Sequence, residues 1–342
     1  MTQKIAKVKK ILVVRTDRIG DVVLSLPMLP LLKKTYPDAA ITVMVRPYTK
    51  ELVENHSCVS EVILWDESKG IWDYVKQLKE QHFDIALLPY PRFNLALIIF
   101  LAGIPHRAGT GYRWYSFLFN KKMYEHRKDA KRHEVEYNLN LLRTIGIESD
   151  QTPRFEFSIP DEIKKNIDRL LSSDGIGQFV VLHAGSGGSA RDWSIDRFAA
   201  LGDILHGQLN VTIILTGGSN ELSLVASLAA KMKVPSVNYA GKFSLLELGA
   251  LFMRAKLFVS NSTGPLHIAS MVGTPVVAFY PPIIQCSPVR WGPYTEKKRV
   301  YTADNTRCEL CKGGPCRSNV CMDQITVEQV VNGIQELMHA KN

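Results

Sequence analysis

No stretch of this 342-residue chain is apolar for long enough to cross a bilayer. The longest, Leu95 to Ile104, is ten residues and is interrupted by Gly103, roughly half of what a spanning helix needs. The first ten residues are polar and basic, and the apolar run after them is four long. That is not the pattern of a secretory leader, so a cytoplasmic location is expected. GxGxxG and GxxxxGKS/T are both missing, which leaves neither a dinucleotide fingerprint nor a P-loop supported. Asp-x-Asp, which would advertise a metal-bound sugar nucleotide, is missing too. There is no short-period repeat and no low-complexity tract.

What is present describes a globular protein, with 46% hydrophobic and 22% charged residues. Apolar strand-like runs alternate with helical patterns throughout, the signature of parallel sheets covered by helices. A first series has strands at 11–14, 41–45, 62–65 and 85–88, with helices over 22–34, 70–81, 95–101 and 134–144. A second series has strands at 179–182, 211–215, 237–239, 257–259 and 276–279, with a helix over 193–206. Between them the polar stretch from Glu148 to Pro160, with Pro153 and Pro160, reads as a linker. Two α/β domains, 1–155 and 156–342, are expected.

The most informative segment is Arg15-Thr16-Asp17-Arg18-Ile19-Gly20-Asp21. It joins the first strand to the first helix, at the sheet edge where ligands collect in open α/β folds. A carboxylate there, Asp21, can serve as a general base, or it can simply cap its helix. In the second series three glycine- or hydroxyl-rich turns follow strands: His183 to Ser189, Thr216 to Glu221, and Asn261 to His267. Backbone N–H groups in such turns and at helix starts suit phosphate oxygens.

The net charge of +9 is concentrated between His106 and His133, where Arg107, Arg113, Lys121, Lys122, Arg127, Lys128, Lys131 and Arg132 face only Glu125 and Asp129. Trp114, Tyr115, Phe117, Leu118 and Phe119 are interleaved with them. An acidic partner is implied: phosphorylated saccharide, anionic headgroups or nucleic acid. Four of the six cysteines cluster as Cys308-x2-Cys311-x4-Cys316-x4-Cys321. That spacing fits a structural metal, two disulfides or four thiols. Cys58 and Cys286 read as buried small hydrophobes.

In their order along the chain these segments resemble glycosyltransferase family 9, the ADP-heptose:lipopolysaccharide heptosyltransferases. The matching parts are Arg15-x4-Gly20-Asp21-x5-Pro27, the turn from His183 to Ser189 followed by Trp193, Gly217-Gly218-x2-Glu221, and Asn261 to His267. Gly103 to Arg107 and the cysteine-bearing tail also look like that family. The resemblance implies a GT-B fold: two Rossmann-like domains facing a cleft, acceptor on the first and nucleotide sugar on the second, with the last helix packing back on the first domain. It implies inversion by single displacement, with Asp21 as base and no cofactor. Ser186, Gly187, Arg191, Glu221, Phe243, Ser262, Thr263, Gly264 and His267 then hold the nucleotide sugar. Within that set Arg191 replaces the usual lysine beside the phosphates, Glu221 meets the ribose and Phe243 the adenine. Arg18, Arg107, Arg113, Lys121 and Lys122 meet an anionic glycolipid acceptor, with peripheral membrane contact. One departure stands out: Ser262 occupies a position where the family usually has Asp, which points to a transferase for another nucleotide sugar as a second reading. A non-catalytic binder of nucleotide sugars, or a nucleic-acid binder using the basic stretch, is the competing class. The basic residues lie far from the cysteines and match no recognition module, so no nucleic acid is expected.

Overall fold

The structure is a computed structural model and describes residues 4–148, 155–188, 191–304 and 321–339. The chain divides into two units, Met1–Ser158 and Ile159–Asn342. In chain order the first comprises β1 (Lys10–Val14), α1 (Ile19–Val23), α2 (Met28–Thr35), β2 (Ala40–Val45), β3 (Glu61–Leu64), α3 (Ile71–Gln81), β4 (Ile85–Leu87), α4 (Phe93–Leu101), β5 (His106–Thr110), β6 (Lys121–Met123) and α5 (Glu134–Arg143). The second comprises α6 (Asp161–Ser173), β7 (Phe179–His183), α7 (Ile195–Leu209), β8 (Thr212–Leu215), α8 (Leu222–Lys231), β9 (Ser236–Asn238), α9 (Leu245–Arg254), β10 (Leu257–Asn261), α10 (Gly264–Met271), β11 (Val276–Tyr280), α11 (Pro288–Trp291), β12 (Lys298–Thr302) and α12 (Val327–His339).

Each unit holds one six-stranded sheet, ordered β3-β2-β1-β4-β5-β6 in the first and β12-β11-β10-β7-β8-β9 in the second. All strand pairs are parallel. The two orders are the same, and both are the doubly wound order. The direction of winding therefore reverses between β1 and β4, and again between β7 and β10. In such sheets the crevice for a ligand opens at the carboxyl ends of the strands flanking that reversal. The α/β fold expected from the alternating patterns is the one observed.

Central strands have to be buried on both faces, which is why β1, β7, β10 and β11 are nearly continuous aliphatic or aromatic runs. Three strands escaped that pattern. β5 (HRAGT), β6 (KKM) and β12 (KRVYT) lie toward sheet edges and carry polar or basic side chains. The basic stretch thus supplies two strands as well as surface charge. Its Gly109 lets the Phe119 ring close on the strand, since a Cβ there would sit 2.6 Å from the ring.

The helix expected over 22–34 is two helices. Pro27, which has no N–H to continue the ladder, separates them. The chain crosses the gap through tight turns, with the Ser25 hydroxyl donating to the Val22 carbonyl at 2.7 Å. Trp193 precedes its helix instead of opening it. Its backbone N–H donates to Asn261 Oδ1 at 2.7 Å and its indole N–H to the Ile325 carbonyl at 2.8 Å.

The second core centres on Trp193, Phe198 and Phe279, with Trp193 stacked on Phe279 at 4.3 Å and set edge-on to Phe198 at 5.1 Å. The last helix, α12, buries Val330, Val331 and Ile334 in this second core. Gly333 allows it to press on β12, because a Cβ at that residue would fall 1.9 Å from the Tyr301 hydroxyl. Among the described residues no helix is long and apolar enough to cross a membrane.

Phe198→Ala would leave a cavity beside Trp193 and is expected to cost about 3–5 kcal/mol. Amide hydrogen exchange should rise across β7, β8 and α7 while β1 and β4 keep their protection. Unchanged exchange in β7 would contradict the packing described.

Candidate active site

At the winding reversal of the first sheet, β1 ends and the chain passes through Arg15 and Asp17 into α1. Arg15 is 1% exposed, and its own N–H is tied to the Met44 carbonyl at the end of β2. Its guanidinium donates from Nη2 to Asp21 Oδ1 at 2.8 Å and to Glu134 Oε1 at 3.1 Å, and from Nε to the Asp21 carbonyl at 3.1 Å. Asp17 Oδ2 stands 3.3 Å from the same Nε. Arg127 adds a second cation on Glu134. Burial works against the charge on Arg15, but the carboxylates of Asp21, Asp17 and Glu134 outweigh it and raise its pKa.

Asp21 lies in the first turn of α1 with 18% of its side chain exposed. The N-cap is Arg18, so Asp21 is inside the helix and does not cap it. Its carboxylate is therefore held by a buried arginine and is still partly exposed, chemistry that a general base can use.

The residues expected at an acceptor are dispersed. Arg18 is exposed beside Asp21. Arg107 sits on β5, two strands from β1, about 10 Å along the sheet. Its guanidinium bonds the carbonyls of Leu118 and Ile104 and lies over the Phe100 ring. Arg107 thus ties down the loop that follows its strand. Arg113 is exposed after β5, while Lys121 and the more exposed Lys122 lie on β6, three strands from β1. Residues that sequence reasoning passed over fill the surroundings of Asp21 instead. Tyr48 donates to the Asp17 carbonyl at 2.8 Å, and Arg46 Nε donates to the Thr16 carbonyl at 2.7 Å. Glu134 and Arg127 are distant in sequence, and only the fold brings them in.

At the second reversal, β7 leads into Ala184-Gly185-Ser186-Gly187-Gly188. Gly187 and Gly188 adopt φ of +57° and +73°, backbone that glycine takes without strain. Glu221 fastens the two glycine turns together, accepting from Gly187 N–H at 3.1 Å and Gly218 N–H at 2.9 Å. A Cβ on Gly185 would lie 2.0 Å from Glu221 Oε1, so only glycine permits this approach. A carboxylate has lone pairs beyond the two in use. His183 is buried, with Nδ1 3.0 Å from Thr216 Oγ1 and Nε2 3.7 Å from Glu221. Burial lowers its pKa, and Glu221 pulls the other way.

The partner strand, β10, ends in Asn261, whose carboxamide is buried and donates to the Ala184 carbonyl at 2.6 Å. That bond holds the carboxyl ends of β7 and β10 together. Ser262 N–H bonds the Phe279 carbonyl at 3.1 Å, and its hydroxyl bonds the Tyr280 phenol, whose pKa burial raises. Thr263 is the extended N-cap of α10 and Gly264 its first residue, with no side chain occupying the cap. The helix thus presents backbone N–H groups at its start. His267 is buried within α10. Ser186, also buried, bonds the Asp192 carboxyl. Arg191 is half-buried, and its charge bears on the Cys286 thiol, whose pKa burial raises. Phe243, half-buried after β9, is set edge-on to Tyr239 at 5.2 Å.

Of the clustered cysteines, Cys308, Cys311 and Cys316 lie outside the described residues. Cys321 is a free thiol fully buried in the second core. Among the described residues, His56, Cys58 and Glu156 bring potential ligand atoms within 4.8 Å of one another. There His56 Nδ1 accepts the Cys58 N–H at 3.1 Å, so a neutral ring carries its proton on the other nitrogen and offers a metal no lone pair.

Asp192 Oδ1 is buried and has no hydrogen-bond partner among the described residues. Burial raises its carboxyl from 3.8 to about 6, with Ser186 opposing and Glu221 adding to the rise. The folded chain therefore binds this proton more tightly than the unfolded chain. The resulting stability is fully present below about pH 4 and is lost as pH rises through 6. Asp192→Asn should exceed the parent by roughly 2 kcal/mol at pH 7.5, after allowance for solvent screening, and lose that advantage at pH 4. Paired urea melts test this; a parent as stable as the variant at pH 7.5 would refute it.

Comparison with known proteins accords with this geometry. The profile of glycosyltransferase family 9 (heptosyltransferase) matches residues 71–321. A Haemophilus influenzae protein designated a glycosyltransferase is 28% identical over 300 residues, covering 84% of this chain and 87% of its own. The lipopolysaccharide core heptosyltransferase OpsX of the same organism is 25% identical over 349 residues, covering 96% and 97%. The solved Escherichia coli ADP-heptose lipopolysaccharide heptosyltransferase II superposes with a TM-score of 0.79 at 23% identity, covering 96% of this chain and 98% of that one. With the family profile spanning well over half of its length, this chain belongs to glycosyltransferase family 9 and is an enzyme of glycosyl transfer.

Proposed function

We propose that this enzyme transfers a heptose from ADP-heptose to a lipopolysaccharide core acceptor with inversion, at the cytoplasmic face of the inner membrane. The observation that carries the reading is the Asp21 carboxylate, anchored by Arg15 at the winding reversal of the first sheet. Asp21 takes the proton of the acceptor hydroxyl as that oxygen attacks the anomeric carbon. The bond from that carbon to ADP breaks on the opposite face, and ADP departs with the electron pair. Arg191 and the N–H groups at the start of α10 meet the charge on the departing diphosphate. Glu221 accepts from the ribose, and Phe243 lies against the adenine. The names of the heptosyltransferase relatives support donor and acceptor class alike.

A second reading, transfer of a different sugar, rests on Ser262. This residue forms an uncharged pair with Tyr280 where the family usually places a carboxylate. The assay separates the two: ADP release with ADP-heptose and a heptose-deficient core acceptor, beside a panel of other ADP-sugars. Asp21→Asn is expected to lower kcat by about 10²–10⁴-fold with ADP affinity unchanged. Undiminished turnover in that variant would remove Asp21 as base.

The same reading places the basic, aromatic surface of the first unit against the membrane. Trp114 is 74% and Phe117 65% exposed, with Arg113 and Lys122 nearby in sequence. Binding to anionic vesicles should weaken steeply with salt and fall in Trp114→Ala. Equal binding to neutral vesicles, or none to anionic ones, would contradict it.

A further inference from the structure

The Arg15 cluster contains one group that this chemistry leaves unused. The Asp17 side chain is 8% exposed, and neither of its buried oxygens accepts a hydrogen bond among the described residues. The other carboxylates of the cluster are satisfied from Arg15, and Glu134 from Arg127 as well. Arg15 Nε comes within 3.3 Å of Asp17 but aims its N–H at the Asp21 carbonyl. Arg15 Nη1 is buried and likewise has no hydrogen-bond partner among the described residues. Tyr48 and Arg46 bond the backbone carbonyls of Asp17 and Thr16 on either side of the turn.

A buried carboxylate left without donors costs stability, and strain of that kind collects where a ligand relieves it. A bare acceptor and a bare donor on neighbouring groups match one chemical group, a hydroxyl, which gives one hydrogen bond and takes another. A metal cation fits less well. Arg15, Arg127 and Arg92, whose charge reaches Asp17, already balance the three carboxylates one for one.

We propose that Asp17, with Arg15 Nη1, binds a hydroxyl of the acceptor sugar next to the attacking one, and so selects which hydroxyl reaches Asp21. This rests on the reading of the first unit as the acceptor side. Burial also pushes the Asp17 carboxyl up to about 6, opposed by Arg15 and Arg92 and assisted by Asp21 and Glu134. Acceptor binding through its ionised form therefore weakens as pH falls through that value.

The test is calorimetric binding of a delipidated, heptose-deficient core saccharide to the full chain without donor, with ADP binding, ADP release and thermal melting measured beside it. Asp17→Ala should weaken saccharide binding by about tenfold or more and Asp17→Asn by less. Both should keep ADP affinity within about twofold and still unfold cooperatively at pH 7.5, since Asp21 and Glu134 remain as counter-charges to Arg15. Equal saccharide affinity in parent and Asp17→Ala overturns the proposal, as does a parent that binds no saccharide. A lowered melting point with ADP and saccharide affinities falling together would show a structural role and overturn it too. Asp17-dependent binding without ADP release, whatever the ADP-sugar, would sink the transfer reading and leave the Asp17 site standing.

Discussion

A guanidinium taken wholly out of water has to be surrounded by opposite charge or it will not be tolerated. Arg15 is in that position, and the first unit is arranged around the requirement. Asp17 and Asp21 come from the turn after β1, Glu134 from the start of α5 more than a hundred residues later, and Arg127 from the loop before it. The cluster locks the strand–helix junction to α5. It also pairs the partly exposed Asp21 carboxylate with the buried guanidinium. Removing Arg15 would leave three buried or half-buried carboxylates facing one another, so the stability of the unit and the reactivity of Asp21 have a common origin.

The second unit has the same strand order and meets a different demand at its winding reversal. Asn261 and Glu221, not an ion cluster, hold the turns there, and they do it by binding backbone. At the start of α10, where no side chain takes the cap, the helix presents backbone N–H groups. Such groups receive phosphate oxygens. One topology thus frames an arginine–carboxylate cluster at one winding reversal and backbone-bonded turns beside an uncapped helix start at the other.

Much of this was legible in the residues. β1 and β7 announce themselves as unbroken aliphatic runs because both faces are covered, and the glycines after β7 mark backbone that must pass close to Glu221. Asp21 could be picked out because a polar residue directly after a buried strand needs a reason to be there. β5 and β6 were hidden because the outer strands of this sheet are short and carry polar or basic side chains, and the basic residues read as surface alone. Pro27 was visible, yet its effect on the helix was not drawn out. Arg107 looked like a ligand for an anion and turned out to hold two backbone carbonyls, a distinction that charge and spacing do not carry.

By itself the sequence determined the alternation of strands and helices, the division near the middle and the family motifs. These depend on periodicity and local backbone chemistry, which neighbours in the chain already express. Only the tertiary structure decided that Glu134 and Arg127 complete the Arg15 cluster, that Asp17 is left without donors, and that α12 closes the second core. Each of those depends on which distant groups share one buried volume, where the absence of water makes every unpaired charge matter.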